Sequence, residues 1–537
     1  KFEDQHRERQ IVLLSILSVM GGFLAHQFLL SYLMGREFSG VNLWQRETIF
    51  IALTMILSGI ISVLNWDKLF LDKKDYNNLL SLPVRLRTLF LAKFVSLLSY
   101  TFIITTVFNL FSSLFFFFYP AAQIRTIPLW SGVGHYLANF LGCVFIYFGV
   151  ALVQSLLMIL FKGEFYRKIA SLFQAFLLFL FIASLFWLPD FYFMLDKIGE
   201  KPSNLLDYLP PLWFVGIYDQ MIGYNNAFIS RNLYLGLLLA VLFPILYILM
   251  SPVSLKKYLQ TSSSSKKKSK SNSLVLFLGR IFNGLFLKHP VQRGIFYFYI
   301  KTLKRSRSHI LKLILYMALP ISFLISKLFY LGLEKGIPGF RQINFDLISV
   351  PLILYFFLVI GLRMVVRHPV DLKANWIFRI SPVDRSLHYL KALKKSLFFT
   401  AVLPVIIFLY PFYHYFWGMK NAIYHSFFSM TIALLMMEIC FVNFRKIPFA
   451  AEYNPEKYKM RYYWPVYFLI FLEYYISLSR LGLSLITNPS YYIVFYAAVL
   501  VIYVGLKIYQ HIKDKQRILI FEEDTEPVML TLGFDSQ

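Results

Sequence analysis

NWDKLFLDKKDYNNLLSLPVRLRTLFLAKF, residues 65–94, lies between two apolar stretches long enough to cross a bilayer. A related run, DLKANWIFRISPVDRSLHYLKAL, Asp371–Leu393, lies between two more such stretches in the second half of the chain. Each holds an acidic residue, a short amphipathic run, a Pro-Val pair and then a lysine on the way into the next apolar stretch. One chain therefore carries two similar membrane halves, each presenting a structured basic loop to the same side.

Composition places that pattern in a membrane. The chain has 537 residues, 58% of them hydrophobic, 19% aromatic and 15% charged. Its mean hydropathy is +0.60. Soluble domains carry about 25% charged residues. A single water-soluble core cannot bury 57 Phe and 36 Tyr, so a bilayer must solvate many of them. The net charge of +26 fits basic cytoplasmic loops better than a nucleic-acid surface. Cys143 and Cys440 lie in apolar stretches of different halves and read as small buried hydrophobes rather than a disulfide or metal pair.

Twelve stretches have spanning length: Ile11–Met34, Thr48–Leu64, Leu89–Phe118, Tyr136–Phe161, Ile169–Leu188, Leu233–Met250, Ile310–Leu331, Phe345–Leu362, Ser396–Tyr415, Ala422–Phe444, Val466–Leu483 and Tyr491–Tyr509. The first is too long for a cleavable signal peptide and lacks a small-residue cleavage site. The expected fold is all-α and polytopic, with about 12 transmembrane helices in two six-helix pseudo-repeats. Charge orients them. The loops after the second, fourth, sixth, eighth and tenth stretches are basic, and Ser251–His309 alone holds thirteen Lys or Arg and no acid. The intervening loops are not basic, so both termini are expected in the cytoplasm. The expected domains are 1–258, a Ser/Lys linker 259–273 that contains TSSSSKKKSKSNS, and 274–537 with a cytoplasmic tail. Linker lysines can also touch anionic lipid. Leu274–Phe286 is apolar but too short to span, and suits an interfacial helix.

The longest of the non-basic loops, Pro189–Arg231, contains YLPPLWFVGIYDQM, Tyr208–Met221. Pro210 and Pro211 break any preceding helix, and Trp213, Phe214 and Tyr218 supply rings suited to a headgroup layer. A short helix or re-entrant segment on the outer face is expected, with an ordered loop resting on the bilayer as the alternative. Asp190, Asp196, Glu200, Asp207 and Asp219 of this loop are expected to form a solvated face.

The basic loops have helical periodicity. Tyr76, Leu79 and Leu80 fall at i, i+3 and i+4, and Leu372, Trp376 and Ile380 at i, i+4 and i+8, so each set makes one apolar face. Asp75 and Asp371 stand where an N-cap would. Pro83 and Pro382 end or turn each helix, with Arg85 and Asp384 in the charged rim beyond. Such a helix suits either a docking knob for a partner or the headgroup layer of the membrane.

DKLFLDKKDY, LSLPVRLRTLFLAK, RGIFYFYIKTLKRSRSH (Arg293–His309), DLKANWIFRISP and YLPPLWFVGIYDQM together resemble segments of ABC (ATP-binding-cassette) exporter permeases of the type-two, or type V exporter, class, in their fused two-half bacterial form. The resemblance covers most of the chain. It implies that Asp75, Tyr76, Leu79, Leu80, Pro83 and Arg85, and Asp371, Leu372, Trp376, Ile380, Pro382 and Asp384, form coupling helices seated on an ATPase. It also implies a bacterial inner-membrane location and two copies of a separate ATPase subunit as partners, with ATP and magnesium bound there and no cofactor on this chain. One departure stands out. Pro83 follows Asp75 by eight residues and Pro382 follows Asp371 by eleven, so the two loops can dock differently.

No G-x-x-x-x-G-K-[ST], H-E-x-x-H, C-x-x-C or G-x-S-x-G motif occurs in the sequence. Intramembrane charges are costly and mark candidate function. Glu473 with Arg480 is the strongest such pair, expected as a buried structural tie or a pathway contact. Lys327 and Glu438 are expected to snorkel near helix ends, and Asn139 and Gln154 to bond between helices. The expected function is export of an amphipathic or lipid-like molecule, with peptides, antibiotics and polysaccharides also open. The alternatives are an ion-coupled secondary transporter, a membrane-embedded enzyme acting on lipid, or a permease-like scaffold. Against the first stands the absence of the short G-x-x-x-D-R-x-G loop of major-facilitator transporters.

Overall fold

A computed structural model describes residues 43–70, 85–118, 128–161, 163–198, 209–223, 227–261, 273–370, 386–444, 446–451 and 464–514, together with Asn78, Leu372, Trp376 and Phe378. Every described element is a helix or helical turn. Ten of the helices are long and apolar enough to cross a membrane. The chain divides into two compact units, Lys1–Lys267 and Lys268–Gln537. The division falls inside the Ser/Lys tract. The expected first span, Ile11–Met34, lies outside the described residues.

Unit 1 is built around α1 (Leu43–Leu64), which packs on α3 (Pro128–Leu160), α4 (Gly163–Ile198) and the short α5 (Pro210–Met221). α2 (Leu86–Phe118) and α6 (Ala227–Thr261) close on α3 from other directions. In α1, 78% of the apolar window is buried inside the protein. The outer helices instead expose Phe102, Phe111, Leu172, Phe176, Leu238 and Val241. A water-soluble helix would put charged residues there, so these faces need lipid as their solvent. Several buried threonine hydroxyls are satisfied locally. Thr48, Thr54, Thr101 and Thr105 each donate to the carbonyl four residues back, which keeps the donor satisfied where there is no water.

Unit 2 has the same logic around α10 (Phe345–Arg367), whose window is 72% buried. Asn344 caps it, its side-chain oxygen accepting from Leu347 N at 2.9 Å. Before it come α7 (Ser273–Phe286), α8 (Pro290–Arg305) and α9 (Arg307–Arg341). After it, α11 (Ser386–Leu397) runs through a π-helical turn, Phe398–Val402, into α12 (Leu403–Phe441). α13 (Trp464–Thr487) and α14 (Tyr491–Asp514) complete the unit. α10 packs on α9, α12 and α13, and α8 packs on α11.

One apolar helical run covers 54 residues, His388–Phe441, where two spans are expected. A straight helix of that length would reach about 81 Å, against a hydrocarbon core of about 30 Å. The backbone answers this at Gly418, whose φ of 76° and ψ of 167° are open to glycine alone. His425 lies against Tyr413 with ring centroids 4.6 Å apart. Twelve residues of straight helix would separate them by about 18 Å, so the chain doubles back at Gly418. The run thus covers the expected segment Ser396–Tyr415 and all but the last three residues of Ala422–Phe444.

The expected outer segment Tyr208–Met221 is a helix with Pro210 and Pro211 in its first turn, where their missing N–H groups cost nothing. It does not rest on a headgroup layer. Phe214 and Tyr218 are fully buried, and α5 packs into α1, α3 and α6. Gly236 of α6 makes this possible, because a Cβ there would lie 2.6 Å from the Trp213 carbonyl oxygen, a backbone atom that cannot swing aside. Gly236→Ala is therefore expected to cost about 1–3 kcal/mol of stability. Thermal unfolding of the detergent-solubilised protein checks it, with Gly294→Ala, which meets nothing within 4 Å, as the neutral control.

Candidate functional site

Of the expected coupling residues, Asp75, Tyr76, Leu79, Leu80, Pro83, Asp371, Ile380, Pro382 and Asp384 lie outside the described residues. Arg85 is exposed at the start of α2, where its carbonyl accepts from Thr88 and Leu89. Leu372 is 42% and Trp376 58% exposed, large apolar surfaces left open four residues apart in sequence.

Both loops are firmly rooted. In unit 1, Trp66 heads a 3₁₀ turn, Trp66–Lys68, and is buried with Leu69 and Phe70. Tyr247 of α6 donates its hydroxyl to the Leu69 carbonyl at 2.8 Å, and its ring lies 5.5 Å from Phe70. Gln174 of α4 donates to Val63 O at 2.9 Å, holding the end of α1. In unit 2, Phe449 N donates to Val366 O and Val370 N donates to Phe449 O, both at 3.0 Å. This two-bond clamp ties the segment after α12 to the start of the second loop. Phe449 has φ +60°, the one positive φ outside glycine among the described residues. Such a conformation costs about 1–3 kcal/mol and persists only where its surroundings hold it. Here its ring stacks on Tyr299 at 5.7 Å and meets the edge of His309 at 5.2 Å. His309 Nε2–H donates to His368 O at 3.0 Å, which leaves Nδ1 to accept from Ser306 at 2.6 Å. Phe378 packs its ring against Phe298 of α8, with centroids 5.3 Å apart.

The structure also gathers a polar cluster in unit 1. His135 of α3 bonds through Nδ1 to Glu47 of α1 at 2.7 Å and through Nε2 to Ser112 of α2 at 3.0 Å. Asn139, one turn on, donates to Glu47 at 3.4 Å and to the His135 carbonyl at 2.8 Å. Asn139 therefore bonds between helices as expected. The Phe116 ring stacks on the imidazole at 4.3 Å, and both Glu47 and His135 are fully buried. Sequence reasoning missed this pair. The expected spans began at Thr48 and Tyr136, one residue beyond each of them, whereas the helices begin at Leu43 and Pro128.

Asp219 corrects another expectation. It is 3% exposed, not part of a solvated face, because α5 turns it inward toward Glu47. Neither carboxylate oxygen has a hydrogen-bond partner among the described residues. Burial first, and the Glu47 carboxylate second, push the Asp219 carboxyl up to about 8. α5 is too short to span, and burial favours the neutral form of its acid. The side chains of Asp190, Asp196, Glu200 and Asp207 lie outside the described residues.

In unit 2, Glu438 does not snorkel. It is buried, bonded to Lys394, to Lys507 at 3.1 Å and to Gln510 at 3.0 Å. A buried carboxylate is tolerable with such cations and donors around it. Lys327 is half-buried and bonds to Asp346 at 2.7 Å and to the Tyr475 hydroxyl. Glu473, expected in a buried tie, is exposed and accepts from Ser477 within its own helix, and Arg480 is exposed as well. Seven residues apart on α13, the two are not brought together. Cys143 and Cys440 are both free.

The sign of the Asp219 shift sets a pH dependence. An unfolded carboxyl titrates near about 3.9. The native state therefore keeps a proton that the unfolded chain loses, and the stability this contributes is complete below that value and declines as pH rises to about 8. The slope is at most about 1.4 kcal/mol per pH unit. Thermal unfolding in detergent at about pH 5 and about pH 9 should show Asp219→Asn gaining on the parent at the higher pH, whereas parallel curves would remove the buried acid from consideration.

Comparison of this chain with protein-family models, with curated proteins and with solved structures finds no match.

Proposed function

We propose that the chain is the transmembrane permease subunit of an ABC exporter, moving an amphipathic or lipid-like molecule with energy from ATP hydrolysed by two copies of a separate ATPase subunit. The observation that carries this reading is the second loop. Leu372 and Trp376 stand open on a segment rooted through Phe378, Phe449 and His309. A large aromatic on a rigid base is the kind of anchor that dominates protein interfaces, at about 2 kcal/mol or more for a well-seated tryptophan. A rigid root also lets a push on the loop reach α10 as rigid-body motion instead of being lost in loop bending.

The two-half, twelve-span arrangement belongs to this proposal. It is supported by the parallel between the units, in which the helix leading into each basic loop, α1 or α10, is the most buried of its unit. One chain then supplies both docking loops, and the membrane is the bacterial inner membrane with both termini cytoplasmic.

A second reading, ion-coupled transport, draws on the buried Glu47, His135 and Asp219, because intramembrane titratable clusters serve as proton relays in pumps and transporters. A single preparation separates the two. The chain is isolated from its native membrane, alone and as Leu79→Asp with Trp376→Asp, and co-purifying proteins are identified. An ATPase with a phosphate-binding loop, near two copies per chain and lost in the double variant, is expected. No ATPase under conditions that preserve other membrane complexes would overturn the exporter reading. In that case, movement of protons into chain-bearing vesicles, abolished by Asp219→Asn, would establish the second.

A further inference from the structure

Three helices of unit 2, α10, α12 and α13, enclose a cavity of 610 Å³. That volume falls within the range of about 300–1,000 Å³ occupied by small-molecule sites. Its wall is apolar along most of its length, with Ile360 of α10, Leu435 of α12 and Leu478 of α13 facing in. Its mouth is framed by Ile439, Tyr467 and Ile470, each exposed. These belong to the same outward apolar surface that requires lipid around the unit, so the cavity opens sideways into the bilayer rather than into water.

One end is different. Arg363 and Arg367 line the cavity one turn apart on α10, about 6 Å along the axis, where the helix gives way to the second basic loop. Among the described residues no acidic side chain lines the cavity. The Arg363 guanidinium lies within hydrogen-bonding reach of the Cys440 thiol, a weak acceptor, and its buried Nε has no hydrogen-bond partner. Half-burying a cation beside a thiol and leucines is costly unless an anion completes the site. Paired guanidinium groups suit the oxygens of a phosphate, which they bind in forked geometry.

We propose that this cavity binds one anionic phospholipid, with its phosphate on Arg363 and Arg367 and an acyl chain in the slot along Ile360, Leu435 and Leu478. The arrangement fits an amphiphile held at its natural depth. The charged end stands at the membrane surface from which the basic loop departs, and the apolar end enters laterally from the lipid phase. This goes beyond the transport reading and does not rest on it, since no ATPase is needed for the lipid to bind.

The test is native mass spectrometry of the full chain, taken from nanodiscs containing equal phosphatidylglycerol and phosphatidylcholine and then progressively delipidated. The parent chain is expected to keep one phosphatidylglycerol after other lipids are gone. Arg363→Gln with Arg367→Gln should lose it by at least about tenfold, because the charge-assisted hydrogen bonds to the phosphate go with the guanidinium groups. Arg363→Lys with Arg367→Lys, which keeps the charge and loses the forked geometry, should fall between the parent and the glutamine variant and guards against a folding defect. Ile360→Trp, which fills the slot and leaves both arginines, should also lose it. Equal retention of phosphatidylcholine, or retention in the glutamine variant, would overturn the proposal. So would retention in Ile360→Trp, or full displacement by inorganic phosphate, since either would reduce the site to a surface cation pair.

Discussion

The structure depends on the absence of water around its longest helices. An apolar surrounding satisfies no hydrogen bond, so each backbone amide must be closed within its helix, and a polar side chain without a protein partner, such as Asp219, is costly. That constraint explains the wholly helical described chain. It explains why threonines bond back to their own helices, and why Glu438 sits among two lysines and a glutamine. The apolar windows of α1, α3 and α10 are 78%, 61% and 72% buried, so these helices meet mostly protein, while their neighbours turn apolar faces outward.

The same constraint gives the two loop roots their character. A chain leaving a bilayer passes from a region where every amide is paired to one where water can pair it, and the joint is where structure is cheapest to lose. Both units reinforce that joint with side chains from distant helices. In unit 1 the reinforcement is a tyrosine hydroxyl from α6 on a loop carbonyl. In unit 2 it is a phenylalanine held in a left-handed conformation, bonded on both sides of its peptide and clasped by a tyrosine and a histidine. The devices share no residue type, yet each ties the helix that enters the loop to a helix remote in sequence. Similar hydropathy in the two halves is thus realised by different local chemistry.

Much of this was legible in the sequence. Spanning length, the all-helical class and the proline-started helix at 210–221 follow from counting apolar runs and placing Gly and Pro. What was not legible concerns side chains whose role is set by partners far along the chain. Glu47 and His135 are 88 residues apart, and each sits at the polar edge of an apolar run where a hydropathy boundary discards it. Asp219 looked like one loop acid among several, because nothing local shows that a twelve-residue helix will bury its far face. Glu473 misled in the opposite sense. A charge within an apolar run reads as buried, yet α13 turns it outward, where a serine one turn on satisfies it.

Asp219 and Glu438 show how far environment governs a carboxyl group. Both lie at the margin of an apolar layer, and both are largely buried. Glu438 faces Lys394, Lys507 and Gln510, so its charge is matched and the group works as a structural tie between α11, α12 and α14. Asp219 faces another carboxylate and has no donor among the described residues, so burial favours its neutral form. In the first case the cations and donors around the carboxylate hold its charge in place. In the second, ionisation would put a charge with no donor beside another carboxylate, so burial and that neighbour both raise the energy of the charged form.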